Sequence, residues 1–255
     1  MEGLRDKVIV FAGAGGIATA AAAILGAGGA RLVVGDVSPA SAERTVQAAA
    51  EGGGEGVATT LDIADEEQVK ALIDLAIERY GKIDGLFNVA ANVDPSQVEQ
   101  DTNVVDIDLG VWQRMIDVNL TGYLLTARYA IPHLVEAGGG SIVNTSSEAV
   151  YAGMEEKIAY SATKSGVNAL TRHIARKYGK QGVRANTVSP GLVLTQQTEA
   201  NLPEEFRERI LAMTPSTRNG EPADIGATVA FLLSDSAAWI TGQVLSINGG
   251  TSMRP

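Results

Sequence analysis

The sequence predicts an α/β fold, a single doubly wound domain spanning residues 1–255 around a mainly parallel seven-stranded sheet. Three observations predict it. Short apolar runs rich in Val and Ile alternate with longer helix-like stretches from end to end, the pattern of strands buried on both faces. Glycine-rich pieces such as Gly52–Gly53–Gly54 and Gly138–Gly139–Gly140 fall where helices should stop, so they read as caps and not as linkers. A chain of 255 residues, 45% of them hydrophobic, can bury one large core but is short for two domains.

The elements follow in order. Strands are expected at 7–12, 31–35, 57–61, 83–89, 141–145, 183–188 and 243–247. An alanine-rich helix follows the first strand as far as Leu25. Ser38 and Pro39 start a second, and 65–80 forms a third with Leu72 and Ile73 toward the core. Residues 109–136 read as one long helix, 158–178 as another and 223–233 as the last.

Composition narrows the function. The chain has no cysteine, which removes disulfides, thiolate catalysis and cysteine-based metal sites. His133 and His173 lie far apart with no ligand spacing around them, so no metal is expected. Asp101, Asp106 and Asp108 lack the glycine and terminal glutamate of a calcium loop, and a solvated loop is expected there. A net charge of −10 disfavours nucleic acid. No apolar run approaches the roughly 20 residues of a membrane helix, and the first residues lack a signal peptide's pattern, so a cytoplasmic protein is expected.

The first strand runs into Gly13-Ala14-Gly15-Gly16-Ile17-Ala18, a fit to G-x-G-x-x-G/A. Such a turn between strand and helix lets a pyrophosphate approach the helix N-terminus, the mark of a Rossmann-type dinucleotide site. Asp36 ends the second strand, where a carboxylate accepts hydrogen bonds from two ribose hydroxyls and repels a 2′-phosphate. That points to NAD over NADP, and no Arg or Lys directly follows Asp36. The competing role for Asp36 is to cap the next helix, a task Ser38 can also perform.

At the other end, Tyr160 and Lys164 stand at i and i+4 on one helix face. A free phenol titrates near pH 10, and a nearby ammonium favours its ionised form. Ser147 lies thirteen residues before Tyr160 at the end of the fifth strand. Asn88 ends the fourth strand, Asn119 lies in the long helix, and Ser189-Pro190-Gly191 with Thr195 follows the sixth strand.

With these motifs in order, the chain resembles the short-chain dehydrogenase/reductase family from Lys7 to Gly250, including the ending Ile240-Thr-Gly-Gln-Val-Leu-Ser-Ile-Asn-Gly-Gly250. The resemblance implies an NAD-dependent oxidoreductase acting between a secondary alcohol and a ketone. It gives Tyr160 the acid/base role, Lys164 the lowering of its pKa and a hold on the nicotinamide ribose, and Ser147 a hydrogen bond to the substrate oxygen. Asn119 would hold a proton-relaying water through its backbone, and Ser146 would be structural. Asp62 and Ile63 would contact the adenine side, while Asn88 and Ala90 would lie near the cofactor. Pro190, Gly191, Val193 and Thr195 would bind around the carboxamide, and Gly13, Gly15, Gly16 and Ile17 around the phosphates.

Two departures stand out from the family's pattern. Its usual Thr-Gly-x-x-x-Gly-x-Gly loop is one residue shorter here, with Ala12 and Ala18 at its ends, and Asn88-Val-Ala-Ala91 replaces Asn-Asn-Ala-Gly. Residues 192–213 are expected to form a substrate lid supplying Leu192, Leu194, Leu202, Phe206 and Ile210 among others. Glu148, Tyr151 and Met154 line the pocket or else face solvent. The mix suggests a fairly apolar, cyclic or hydroxysteroid-like substrate. A homotetramer, or at least a dimer, is implied, built on the long helices through Tyr123-Leu-Leu125 and 167–170. The rivals are a 3-ketoacyl-thioester reductase, disfavoured by Asp36 and the acidic composition, and a non-catalytic dinucleotide sensor, which needs no proton relay.

Overall fold

Five consecutive buried residues, Val8–Ala12, form β1, flanked in parallel by β2 (Arg31–Asp36) and β4 (Gly85–Asn88). The computed structural model describes residues 2–253 apart from Val93. A strand bonded on both edges and covered on both faces has no polar side to offer, which is why Val-Ile-Val-Phe-Ala is unbroken. Outside β2 lies β3 (Glu55–Thr60), and outside β4 lie β5 (Gly140–Thr145), β6 (Val183–Pro190) and β7 (Val244–Ile247). The order is β3-β2-β1-β4-β5-β6-β7, and every pairing is parallel. Strand order reverses between β1 and β4, so the loops that leave their carboxyl ends diverge and open a crevice.

Helices cover both faces. Gly16–Ala27 (α1) and Pro39–Glu51 (α2) follow the first two strands, Ser38 capping α2 by accepting from the Ser41 amide. Glu66–Tyr80 (α3) is capped by Asp65. Pro95–Val98 (α4) and Leu109–Ile116 (α5) lead to Gly122–Glu136 (α6). Ala149–Ala152 (α7) precedes Ile158–Tyr178 (α8). Gln196–Asn201 (α9), Glu204–Ala212 (α10) and Pro222–Leu233 (α11) complete the set. Side chains of β1 alternate between two cores: Val8 and Val10 join Leu72, Leu134 and Val167 of α3, α6 and α8, and Ile9 and Phe11 join Leu25, Ala49 and Val229 of α1, α2 and α11.

The helix expected over 109–136 is interrupted. Between α5 and α6 lies one turn of π-helix, Asp117–Thr121, which widens the hydrogen-bond ring around Asn119. Strand edges also shift: β3 begins at Glu55, β4 is shorter than expected, and β6 runs on to Pro190. Sequence gives strand ends poorly because the ladder, not the side chain, decides where pairing stops.

Buried polar side chains fix the carboxyl edge of the sheet. Asn88 Nδ2 donates to Asn144 Oδ1 (2.8 Å), Asn144 Nδ2 donates to Thr171 Oγ1 (2.8 Å), and Thr171 and Thr187 share a hydroxyl bond (2.7 Å). Thr126 Oγ1 donates to Asn88 Oδ1 (2.8 Å). The ladder ties β4, β5 and β6 to α6 and α8, and each amide in it is buried with its partners supplied. Among the described residues no helix is long and apolar enough to cross a membrane.

Candidate active site

A cleft of about 1070 Å³ opens where the loops after β1, β2, β4, β5 and β6 diverge. Its floor at one end is the glycine turn. Gly13 has φ of +109°, and a Cβ there would lie 2.4 Å from the Ala90 backbone nitrogen; Gly15 has φ of +142° and open space beside it. Only glycine fits both conditions at Gly13. The first turn of α1 carries no side-chain cap, and Gly15, Gly16 and Ile17 line the cleft, so its amides and dipole are offered to an anion.

Asp36 lies beside that turn. Its Oδ2 accepts from the Ala14 amide (2.7 Å) and its Oδ1 from the Ser38 amide (2.8 Å), leaving lone pairs on both oxygens. Capping of α2 falls to Ser38, not to Asp36. The shortened turn is thus held against the carboxylate at the end of β2. Asp62 lines the same cleft, bonded to the Ala64 amide (3.0 Å) and paired with Arg114 (3.2 Å). Ile63, Ala90, Pro190, Gly191, Val193 and Thr195 line it as well. Thr195 also caps α9, accepting from the Thr198 amide. These features fit a dinucleotide: a turn that offers free amides, a carboxylate beside it with lone pairs to spare and a long open groove.

Ser147, Tyr160 and Lys164 converge on the far end. Lys164 is 1% exposed, and its Nζ donates to the Thr145 carbonyl (2.9 Å). The ammonium lies over two rings, 5.2 Å from the centre of Tyr123 and 5.7 Å from that of Tyr160. Burial lowers its pKa to about 7. Burial also pushes the half-buried Tyr160 phenol up, while a hydrogen bond with Ser147 works the other way. Desolvation therefore favours the neutral form of both groups and outweighs the lowering of the phenol that the sequence leads one to expect. Ser146 is turned inward and donates to the Lys164 carbonyl (3.0 Å).

Two expected residues stand behind the cleft wall. Asn88 is fully buried in the polar ladder, so it braces β4 and does not reach the cleft. Asn119, in the π-turn, accepts from the Asn92 amide (2.8 Å) and so fixes the loop after β4. Glu148 departs from its expected place. Its carboxylate accepts from Ser189 (3.3 Å) and Ser246 (2.9 Å) through Oε1 and from Ser252 through Oε2, which holds the buried carboxylate in a cage of hydroxyls outside the cleft lining. Tyr151, bonded to Asn168 (3.2 Å), and the exposed Met154 are also outside the cleft lining. Of the apolar side chains named for the lid only Leu192 lines the cleft, beside Val193, Gln196 and Gln197.

Other residues were hidden from the sequence. Asp101, expected in a solvated loop, is 2% exposed and accepts from the amides of Ala159 (2.9 Å) and Tyr160 (2.8 Å). It caps α8 from 58 positions away, where the local N-cap, Lys157, has a left-handed backbone and makes no side-chain cap. Tyr123, expected on an outer helix face, is fully buried, and of Tyr123-Leu-Leu125 only Leu124 is exposed. Arg44, eight residues beyond Asp36, lines the cleft and donates to Ser41 Oγ (2.8 Å).

The chain is similar to known proteins over nearly its whole length. A family model described as enoyl-(acyl carrier protein) reductase matches residues 12–252. The cis-4-hydroxycyclohexanecarboxylate dehydrogenase of Sinomonas cyclohexanicum is 35% identical over 250 residues, covering 98% of each chain. The cyclohexanol dehydrogenase of an Acinetobacter species is 33% identical over 247 residues, covering 96% of this chain and 94% of its own. The crystal structure of a levodione reductase superimposes with a TM-score of 0.88 at 33% identity, covering 98% of both chains.

The cap on α8 makes a stability prediction. Asp101→Ala leaves two amides at the start of α8 without acceptors and is expected to cost about 2–4 kcal/mol, whereas Asp101→Asn keeps one acceptor and loses about half of that. Urea unfolding of both variants checks it, and an Ala variant as stable as wild type would refute the cap.

Proposed function

This chain belongs to the short-chain dehydrogenase/reductase family, and we propose that it acts as an NAD-dependent oxidoreductase on a secondary ring alcohol and the corresponding ketone. The observation that carries the proposal is the meeting of Ser147, Tyr160 and Lys164 at one end of a cleft whose other end is the glycine turn and Asp36. The ring preference follows two relatives named for cyclohexane-ring alcohols. In this reading one domain, residues 1–255, holds both coenzyme and substrate in the cytoplasm.

Gly13, Gly15, Gly16 and Ile17 hold the pyrophosphate with backbone amides, and Asp36 accepts from the adenosine ribose hydroxyls. Asp62 and Ile63 border the adenine, Ala90 the nicotinamide side, and Pro190, Gly191, Val193 and Thr195 the carboxamide. A nicotinamide held there would supply the hydride chemistry. Tyr160 takes the hydroxyl proton as the alcohol is oxidised and returns it on reduction, and Ser147 donates to the substrate oxygen in both directions. Burial holds the Tyr160 phenol neutral, so positive charge close by is needed to draw out its proton. Lys164 supplies that charge and anchors the nicotinamide ribose. Asn119 fixes the loop over the site and orders the relay water behind Lys164. A 3-ketoacyl-thioester reductase is less favoured, because Asp36 disfavours a 2′-phosphate and a chain of net charge −10 is a poor partner for an acidic carrier.

Three outcomes test the proposal. Tyr160→Phe is expected to lower turnover about a thousandfold while NADH binding by fluorescence titration stays within about threefold; residual turnover above about a tenth of wild type would remove Tyr160 as the acid/base. The wild type should favour NAD over NADP by roughly thirty- to a thousandfold in kcat/KM, and Asp36→Ala should weaken NAD and ease NADP. Arg44 in the cleft wall is the reason both coenzymes must be assayed on both proteins, and equal wild-type efficiency would overturn the choice of NAD. Finally, the open apolar groove between α6 and α8, lined by Leu124, Ile131, Leu170 and Ile174, fits a homotetramer. Light scattering showing a monomer at micromolar concentration would rule that out.

A further inference from the structure

Lys164 is held in an environment that opposes its charge. It is buried, the Thr145 carbonyl is its hydrogen-bond acceptor, and no carboxylate among the described residues forms an ion pair with it. The titratable groups that face its ammonium are two phenols, Tyr160 from α8 itself and Tyr123 from α6, with the Thr145 carbonyl of β5 on another side. Tyr160 is committed to the cleft. Tyr123 is not among the cleft-lining residues, is fully buried, and donates its hydroxyl to the Ala90 carbonyl (2.9 Å). Burial and the neighbouring Tyr160 push its phenol well above the ordinary range, so Tyr123 stays protonated and cannot itself act as a base.

We propose that Tyr123 is a positioning residue for the proposed reaction: its ring face is the fixed counter-surface that keeps Lys164 charged beneath Tyr160, and its hydroxyl ties that support to the Ala90 loop. The physical argument is the ring quadrupole. A cation within about 6 Å of a ring centre is attracted to its face, and the attraction grows when water is excluded, as here. The two rings therefore offset part of the desolvation that drives Lys164 toward its neutral form. Ring and hydroxyl have separable duties. The ring acts on the lysine; the hydroxyl, which is also in hydrogen-bond contact with the Thr145 side chain, acts on Ala90, whose backbone nitrogen is also the atom that a Cβ at Gly13 would strike. One side chain thereby links the proton-handling end of the cleft to the glycine turn.

The inference rests on the proposed oxidoreductase reading only for its effect on rate, so the test has an arm that needs no turnover. Protein carrying ¹³C-labelled lysine Cε is titrated by NMR, the Lys164 signal being assigned by its loss in Lys164→Arg. Tyr123→Leu and Tyr123→Met, which remove the ring face, are expected to lower the Lys164 titration by about one pH unit, and Tyr123→Phe, which keeps it, by less than about 0.3. In parallel, kcat at pH 7 should fall about five- to tenfold in Leu and Met with the pH profile displaced, and Phe should restore the profile. An unchanged titration in Leu or Met would overturn the proposal, as would a Phe variant displaced as far as Leu. Failure of both ringless variants to fold, with Phe folded, would also count against it, because it would make the ring a space-filler. A titration that moves as expected while no alcohol is turned over by any form would leave Tyr123 in place and remove the catalytic reading instead.

Discussion

The burial of one primary amine organises the carboxyl edge of this sheet. Among the described residues Lys164 enters the core with the Thr145 carbonyl for a hydrogen-bond partner and two ring faces for company. A charge so placed is tolerable only if its surroundings do not move, because relaxation would let water reach it or let it lose its proton. Much of the nearby construction serves that rigidity. Ser146 holds the lysine's own carbonyl, Asp101 pins the start of its helix, and the Thr145 hydroxyl is bonded to the Asn88 carbonyl.

A second layer fixes where the strands end. The run from Asn88 through Asn144 to Thr171 and Thr187 crosses three strands and a helix without a missing partner. Such a ladder adds little net stability per bond but makes every alternative register expensive, since a slip would bury amides with nothing to meet them. Ser147, Asn88 and Pro190 lie at or beside those strand ends, so their relative heights are set by a polar frame lying behind the cleft wall.

What the sequence revealed and what it hid divide along a physical line. The strands, the glycine turn, Asp36 and the Ser147–Tyr160–Lys164 spacing are local patterns, and each was legible because its chemistry depends on residues near it in the chain. Asp101 was not, since an aspartate in a polar loop looks the same whether it faces water or caps a helix 58 residues away. Tyr123 read as part of an outer face for subunit contact, because helical periodicity gives a face but not the ion resting on it. Glu148 read as a pocket residue, and only the arrival of Ser189, Ser246 and Ser252 from distant segments makes it structural. The π-turn at Asn119 was equally silent, as its residues carry ordinary helix propensity.

The Glu148 cage also bears on how the molecule is made. The carboxylate beside Ser147 takes its partners from β6, from β7 and from the segment after β7, so the loop bearing that serine is completed by residues 41 to 104 positions further along the chain. A nascent chain that has only just produced Ser147, Tyr160 and Lys164 holds a glutamate whose hydroxyl partners are still to be made. Local helices form early, but contacts of such long sequence separation close late. Assembly of this cleft therefore waits on those distant segments, and a chain stalled before Ser246 carries Ser147, Tyr160 and Lys164 without two of the hydroxyls that hold Glu148.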